Sequence, residues 1–262
     1  MFPIIELWFL GSVHTFWLTL MLCFFIFVLI AKKISTRLWV NFSYFSNRLL
    51  IFFLSTVIFS RIFYVVSYWN DYKYLESPIS FFFMSDYNFS LMWAIFWFFL
   101  VLFFTTITHK IKNWRYVDIS VLAFLFSSFV WYIWAFLWWQ VYWRETQYGI
   151  EVIYNNPFSP VPYETWVFPL ALFYAAWVFI LFSILYISAM FVKIRWIVGY
   201  LGLWLFASLV LILEQFSWKY DYFYQNFWYS LNMVFSIILI IFSFNWLLKI
   251  WFSTNKEKEL TL

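Results

Sequence analysis

Residues 166–192 read WVFPLALFYAAWVFILFSILYISAMFV and contain no charged side chain. A helix needs about 20 apolar residues to cross the hydrocarbon layer of a bilayer, so this stretch is long enough to span it. Lys193 and Arg195 follow directly, and a second apolar run begins at Trp196. Two apolar runs joined by so short a basic turn predict a pair of antiparallel transmembrane helices.

The composition of the whole chain favours the same interpretation. Of 262 residues, 66% are hydrophobic and 11% are charged, whereas a soluble domain carries about 25% charged residues. One soluble core could not bury this much apolar surface, so lipid must act as the solvent. The apolar runs are continuous and do not alternate with polar residues, which predicts helices and excludes a transmembrane barrel.

Seven segments meet the length criterion, which predicts an all-α membrane protein with seven transmembrane helices in one domain, 1–262. The segments are 13–31, 49–68, 89–108, 117–139, 166–192, 196–216 and 228–248. The longest connection between them, 142–165, contains three prolines. We expect this connection to form an ordered lid or a mobile loop outside the cytoplasm.

The basic residues alternate between successive connections. Twelve of the sixteen lie in every second connection or after the last segment, and acidic residues dominate the other connections. The twelve are Lys32, Lys33, Arg37, Arg48, Lys110, Lys112, Arg115, Lys193, Arg195, Lys249, Lys256 and Lys258. Cytoplasmic loops carry such an excess, so the N-terminus is predicted outside and the C-terminus inside. The net charge of +4 is then a topology signal, and no nucleic-acid partner is expected.

Few residues are available for metal or cofactor chemistry. Cys23 is the single cysteine and lies in an apolar run, while His14 and His109 fall on opposite predicted faces of the membrane. Histidine and cysteine metal sites, haem ligation and iron–sulfur clusters are therefore excluded. The four glycines form no phosphate-binding loop. We expect no cofactor.

Three ionisable residues lie inside the predicted spans: Arg61, Asp118 and Glu214. Burying a charge at mid-membrane costs at least ~2.5–3.5 kcal/mol on insertion scales, so each needs a partner or a watery cavity. Arg61 falls in the outer half of the second span and Glu214 near the outer end of the sixth, where the two could pair. Asp118 falls at the cytoplasmic start of the fourth span, and we expect a structural role there as the cap of that helix.

The order of these features resembles the prolipoprotein diacylglyceryl transferase family, which has seven spans, an external N-terminus and a comparable length. SRIFYVVSY at residues 60–68 is similar to the family's Gly-Arg-hydrophobic-Gly-Tyr-Val-hydrophobic-Phe-Tyr segment. AFLWWQVYWR at residues 135–144 aligns with its Asn-Phe…Glu-x-Trp-Gly-Arg signature, and Phe168-Pro169 takes the place of its His-Pro motif. Asp118 and Glu214 occupy the places of family carboxylates.

The resemblance implies an enzyme of the bacterial plasma (inner) membrane. Such enzymes transfer a diacylglyceryl group from phosphatidylglycerol to the lipobox cysteine of a lipoprotein precursor. The resemblance implies Glu214 and Arg61 as catalytic residues. It implies Arg144, Gln140 and Tyr132 as substrate-binding residues.

Two other functions stay open because several motif positions differ from the family. Tyr132 stands at a family Arg, Gln140 at a Glu, and Met92-Trp93-Ala94 at a His-Gly-Gly. One alternative is a non-catalytic relative that acts as a membrane subunit or a lipid-binding partner. The other is a structural subunit of an organellar membrane complex, which the 30% aromatic, glycine-poor composition of an AT-rich genome suits.

Overall fold

The computed structural model describes residues 4–7, 11–67, 91–109, 114–137, 145, 147–153, 166–191, 197–215 and 230–259. Within these ranges the chain is almost entirely helical. The helices are α1 Thr15–Arg37, α2 Ser43–Ser46, α3 Leu49–Ser67, α4 Leu91–Thr108, α5 Trp114–Leu137, α6 Leu170–Phe191, α7 Ile197–Glu214 and α8 Leu231–Glu259. Two small antiparallel sheets accompany them, β1 Ile4–Leu7 with β2 Gly11–His14, and β3 Val152–Ile153 with β4 Trp166–Val167.

Six helices in the described ranges are long and apolar enough to cross a membrane, which confirms a helical, multi-pass membrane protein. These spans are Phe16–Arg37, Leu49–Val66, Tyr116–Leu137, Leu170–Phe191, Ile197–Glu214 and Asn232–Lys249. Helix α4 has 18 residues and is about 27 Å long at 1.5 Å per residue. The part of it whose side chains are described, Ala94–Thr108, is shorter than the other six. A seventh crossing by α4 stays a prediction.

The helix bounds differ from the predicted segments at both ends of the chain. Helix α1 continues to Arg37, six residues beyond the predicted end, and α8 continues to Glu259, eleven residues beyond. Hydropathy detects the part of a helix that lipid surrounds, whereas backbone hydrogen bonds continue into water. Lys and Arg are also good helix formers, so the charged residues there do not end the helix.

The small sheets were not predicted. In the first, Ile4 pairs with His14 and Leu7 with Gly11, so the predicted start of the first span at 13 is strand up to His14. In the second, Val152 pairs with Val167, so a described part of the 142–165 connection lies beside the residues that directly follow it. Helix α6 starts at Leu170, directly after Pro169, which has no N–H to donate within a helix.

Contacts at the helix ends place the end of α1 beside the end of α6, and the start of α3 beside the end of α4. Arg37, at the end of α1, lies with its guanidinium carbon 5.6 Å from the centre of the Tyr186 ring of α6. The Arg48 Nη2 donates to His109 Nε2 over 3.0 Å, which joins the start of α3 to the end of α4. We call this the basic end of the bundle, defined by Arg37, Arg48 and His109. Its assignment to the cytoplasm stays a prediction.

Helix α5 lies at the centre of the bundle. It packs along α1 and α6 and also contacts α7. Every residue of its 116–123 segment is buried, as expected for a helix that is surrounded on all sides. Helix α3 packs mainly along α4, and α4 also contacts α8.

The outer surface of the bundle is apolar. On α6, the exposed residues Trp177, Ile180, Ile184 and Ile187 recur three or four positions apart and therefore share one face. A stripe of large apolar side chains on this scale is what lipid covers in a membrane protein. The opposite face of α6 carries the buried residues Tyr174, Ala175 and Val178.

Candidate functional site

Glu214 is the last residue of α7 and lies at the end of the bundle opposite the basic end. The Nδ2 of Asn232, in the first turn of α8, donates to Glu214 Oε1 over 3.0 Å. The charge-assisted bond fixes the carboxylate against the neighbouring helix. Glu214 is half-buried, which fits a carboxylate at the edge of an apolar bundle.

Two buried tyrosines lie close to this carboxylate. The rings of Tyr132 on α5 and Tyr174 on α6 are stacked, with centroids 4.7 Å apart and planes inclined by 8°. Only 5% of Tyr132 and 4% of Tyr174 is exposed, and both side chains lie within electrostatic range of Glu214. We call Tyr132, Tyr174, Glu214 and Asn232 the Glu214 cluster. It joins one residue from each of the last four long helices.

The structure thus brings together two of the predicted site residues, Glu214 and Tyr132, and adds two that the sequence analysis missed. Asn232 is a polar residue near the start of an apolar span, at the same predicted depth as Glu214, and this signal could have identified it. Tyr174 carries no comparable signal, because tyrosine is abundant throughout this chain. The cluster can orient a carboxylate and fasten four helices to one another.

Arg61 is buried in α3, with 3% of its surface exposed. It has interaction partners within the fold, as a guanidinium in an apolar bundle requires. Its pairing with Glu214 stays a prediction. Arg144 and Gln140, the other two predicted substrate-binding residues, lie outside the described residues, as do the three prolines of the 142–165 connection.

Asp118, a residue of α5, accepts a hydrogen bond from the start of α7. Helix α5 begins at Trp114, so Asp118 lies one turn inside it and not at its first residue. Its Oδ1 accepts a hydrogen bond of 2.6 Å from the backbone N–H of Gly199, the third residue of α7. The N–H groups of a first turn lack partners within their own helix, and a carboxylate there also interacts favourably with the helix dipole. The carboxylate therefore fastens the start of α7 to α5.

Replacing Asp118 by alanine is expected to lower the free energy of unfolding by about 1.5–3 kcal/mol, because the buried Gly199 N–H loses its charged acceptor. Asp118→Asn keeps an acceptor oxygen in the same place and is expected to cost less than half as much. Both values can be measured by denaturant titration in mixed micelles with tryptophan fluorescence. Equal losses for the two variants would contradict a role as hydrogen-bond acceptor.

A separate apolar cavity of about 190 Å³ lies between α1, α3, α4 and α5. Aromatic and aliphatic side chains form most of its wall, among them Phe24, Phe27, Phe52 and Phe98. The few polar groups in the wall include the Ser127 hydroxyl, which donates to the Cys23 carbonyl oxygen over 2.6 Å. Neither Arg61 nor Glu214 lines this cavity.

The described ranges contain no group of three His, Cys, Asp or Glu residues placed to hold a metal ion. The resemblance to the transferase family stays a prediction. No model of a known protein family matches this chain, and no curated protein matches it.

Proposed function

We propose that this chain is a non-catalytic subunit of a membrane protein complex, in a bacterial plasma membrane or an organellar inner membrane. The observation that carries the proposal is the stacked pair Tyr132–Tyr174 beside Glu214. Both rings are buried and packed against each other, within electrostatic range of the carboxylate, and a buried pair of phenols offers no positive charge that would bind a phosphoglycerol headgroup. The carboxylate itself is bound to Asn232 and acts as a fastener between helices.

The chemistry of the cluster supports the same conclusion. Transfer of a diacylglyceryl group needs cations to hold the phosphoglycerol leaving group and an acid or base at the reacting atoms. Tyr132 stands where the resembled family has an arginine, and its ring is packed against Tyr174. A phenol in that position brings no positive charge to a phosphate.

The test is the size of the native particle. The full chain, carrying a small affinity tag, is extracted from its own membranes in a mild detergent and separated by native electrophoresis. We expect it to migrate as a complex with a partner in constant stoichiometry. Migration as a lone monomer under conditions that preserve other membrane complexes would overturn the proposal.

A divergent diacylglyceryl transferase is the second candidate, because a buried Arg61 in a membrane-spanning helix is a functional-site hypothesis by default. It predicts transfer of labelled diacylglyceryl from phosphatidylglycerol to a lipobox peptide in reconstituted vesicles. Arg61→Ala and Glu214→Gln would then abolish transfer.

For a structural subunit, we expect no transfer by the wild-type chain at saturating phosphatidylglycerol. Glu214→Gln should change the free energy of unfolding by less than about 1 kcal/mol, because an amide oxygen still accepts from Asn232. Glu214→Leu leaves the Asn232 amide without its acceptor and should cost about 1–3 kcal/mol. Detergent-based unfolding measures both, and wild-type transfer above the empty-vesicle background would favour the enzyme.

A further inference from the structure

The cavity between α1, α3, α4 and α5 separates two pairs of helices. Helix α1 packs closely along α5, and α3 packs closely along α4. Across the cavity the two pairs meet through aromatic side chains. Phe24 lies 4.6 Å from Phe53 and Phe27 lies 5.6 Å from Phe98, measured between ring centroids. Because aromatic rings separate the two pairs, their backbones do not pack closely there, and the wall of the cavity is apolar.

The size and lining of the cavity suit a hydrocarbon. Apolar cavities of about 150 Å³ in proteins stay dry and bind molecules such as benzene. This cavity of about 190 Å³ is lined almost entirely by apolar side chains and is open on part of its surface. In a bilayer the hydrocarbon available in greatest amount is a lipid acyl chain, and several methylene groups fit this volume.

A cation lies next in sequence to residues of the cavity wall. Arg48 is placed in sequence between Phe45 and Leu49, and both of these residues line the cavity. Its Nη1 donates to the Tyr44 carbonyl oxygen over 3.1 Å, and its Nη2 donates to His109 Nε2 over 3.0 Å. The guanidinium also lies over the Tyr44 ring, with its carbon 4.3 Å from the centroid. Its orientation is therefore fixed.

The charge of Arg48 is not balanced by these contacts. The two acceptors that bind it in the described structure are a carbonyl oxygen and an imidazole nitrogen, and neither carries a negative charge. Lys32, Lys33 and Arg37 add positive charge at the same end of the bundle and are exposed. A fixed guanidinium with free N–H donors matches the geometry of a phosphate.

We propose that the cavity and Arg48 together bind one anionic phospholipid of the surrounding bilayer. Part of one acyl chain lies between the α1–α5 and α3–α4 pairs, and the phosphate lies beside the Arg48 guanidinium at the basic end. The Arg48 side of this site lies at the opposite end of the bundle from the Glu214 cluster, and the site does not depend on the function proposed above. Basic pockets between membrane helices bind lipid headgroups by the same combination of charge and apolar contact.

The test is native mass spectrometry of the full chain released from nanodiscs that contain equal amounts of phosphatidylglycerol and phosphatidylcholine with identical acyl chains. One cation at a membrane surface contributes about 1 kcal/mol, which corresponds to roughly a fivefold preference. We expect one retained lipid per chain, with phosphatidylglycerol favoured at least fivefold. Retention of both lipids in equal amounts, or of neither, would overturn the proposal.

Two variants separate the two halves of the site. Arg48→Gln should remove the preference for phosphatidylglycerol while a lipid is still retained. Lys249→Gln, at an exposed lysine of α8, is its matched control with the preference intact. Ala94→Phe fills the cavity and should lower retention of both lipids at least fivefold, whereas Ala176→Phe on the exposed face of α6 should not. Should Ala94→Phe fail to fold, Ser128→Leu in the same wall replaces it. Unchanged retention in a folded cavity variant would contradict the site.

Discussion

Gly199→Ala is expected to lower the free energy of unfolding by about 3 kcal/mol or more. A Cβ at position 199 would lie 2.7 Å from Asp118 Oδ1 and 2.9 Å from the Asp118 backbone nitrogen. Helix α7 must then move away from α5, which costs about 1–3 kcal/mol in overpacking. The same movement lengthens the hydrogen bond from Gly199 to Asp118, and a buried bond to a charged group contributes about 1.5–3 kcal/mol. Titration with denaturing detergent, followed by tryptophan fluorescence, measures the loss.

Gly202→Ala provides the comparison within the same helix. Its Cβ would lie 2.7 Å from Val121 Cγ1 and 3.0 Å from Leu185 Cδ1, which are side-chain atoms that can shift. We expect a loss of about 1–2 kcal/mol there, and less than about 0.5 kcal/mol for the conservative Ile212→Val on the lipid-facing side of α7. A loss for Gly199→Ala no greater than that for Gly202→Ala would contradict the close contact with Asp118.

Gly199 and Gly202 could have indicated a close helix contact from the sequence alone. The chain has four glycines in 262 residues, so a pair three positions apart in one apolar span is unusual for it. Small residues at a helix contact allow two membrane helices to approach closely. The scarcity of glycine was used to exclude a phosphate-binding loop. It also indicates where α7 contacts another helix, although it does not identify α5 as the neighbour.

The helical membrane architecture was predictable because hydropathy and charge are both local properties of the chain. Each of the six confirmed spans coincides with a predicted apolar segment, and the contacts of Arg37 and Arg48 place these two basic residues at one end. The strands were not predictable. Four-residue strands such as Ile4–Leu7 carry too few alternations to stand out from an apolar background.

The sequence predicts how deep each site residue lies in the membrane, but not which neighbouring helix its side chain faces. Counting along a span gives the depth of Glu214 in the membrane, and that depth correctly places it away from the basic end. The neighbours of a side chain also depend on which way each helix turns its face, and continuously apolar helices give little periodic signal for that. Asn232 and Tyr174 were missed for this reason, and so was the hydrogen bond by which Asp118 binds the start of α7.

Tyr132→Ala is expected to lower the free energy of unfolding by about 3–5 kcal/mol, the usual cost of truncating a large buried aromatic residue. Its ring is buried at the junction of α5 and α6, stacked on Tyr174. Stacked aromatic pairs contribute about 0.5–1.5 kcal/mol beyond the area they bury. The double variant Tyr132→Ala/Tyr174→Ala should therefore cost less than the sum of the single variants by about that amount. Tyr148→Ala, at a residue that is 79% exposed, is the control with little effect.

Tyr132→Phe separates a packing role from a substrate-binding role for the same residue. The ring and its stacking on Tyr174 are kept, so stability should change by less than about 1 kcal/mol. If the ring serves as packing beside Glu214, the variant should also assemble into the native complex at the wild-type level. A residue that bound substrate through its hydroxyl would also leave stability normal, but the variant would lose the transfer activity that the second candidate function predicts. Stability and function measured on this one variant therefore decide whether the Glu214 cluster holds four helices together or binds a substrate.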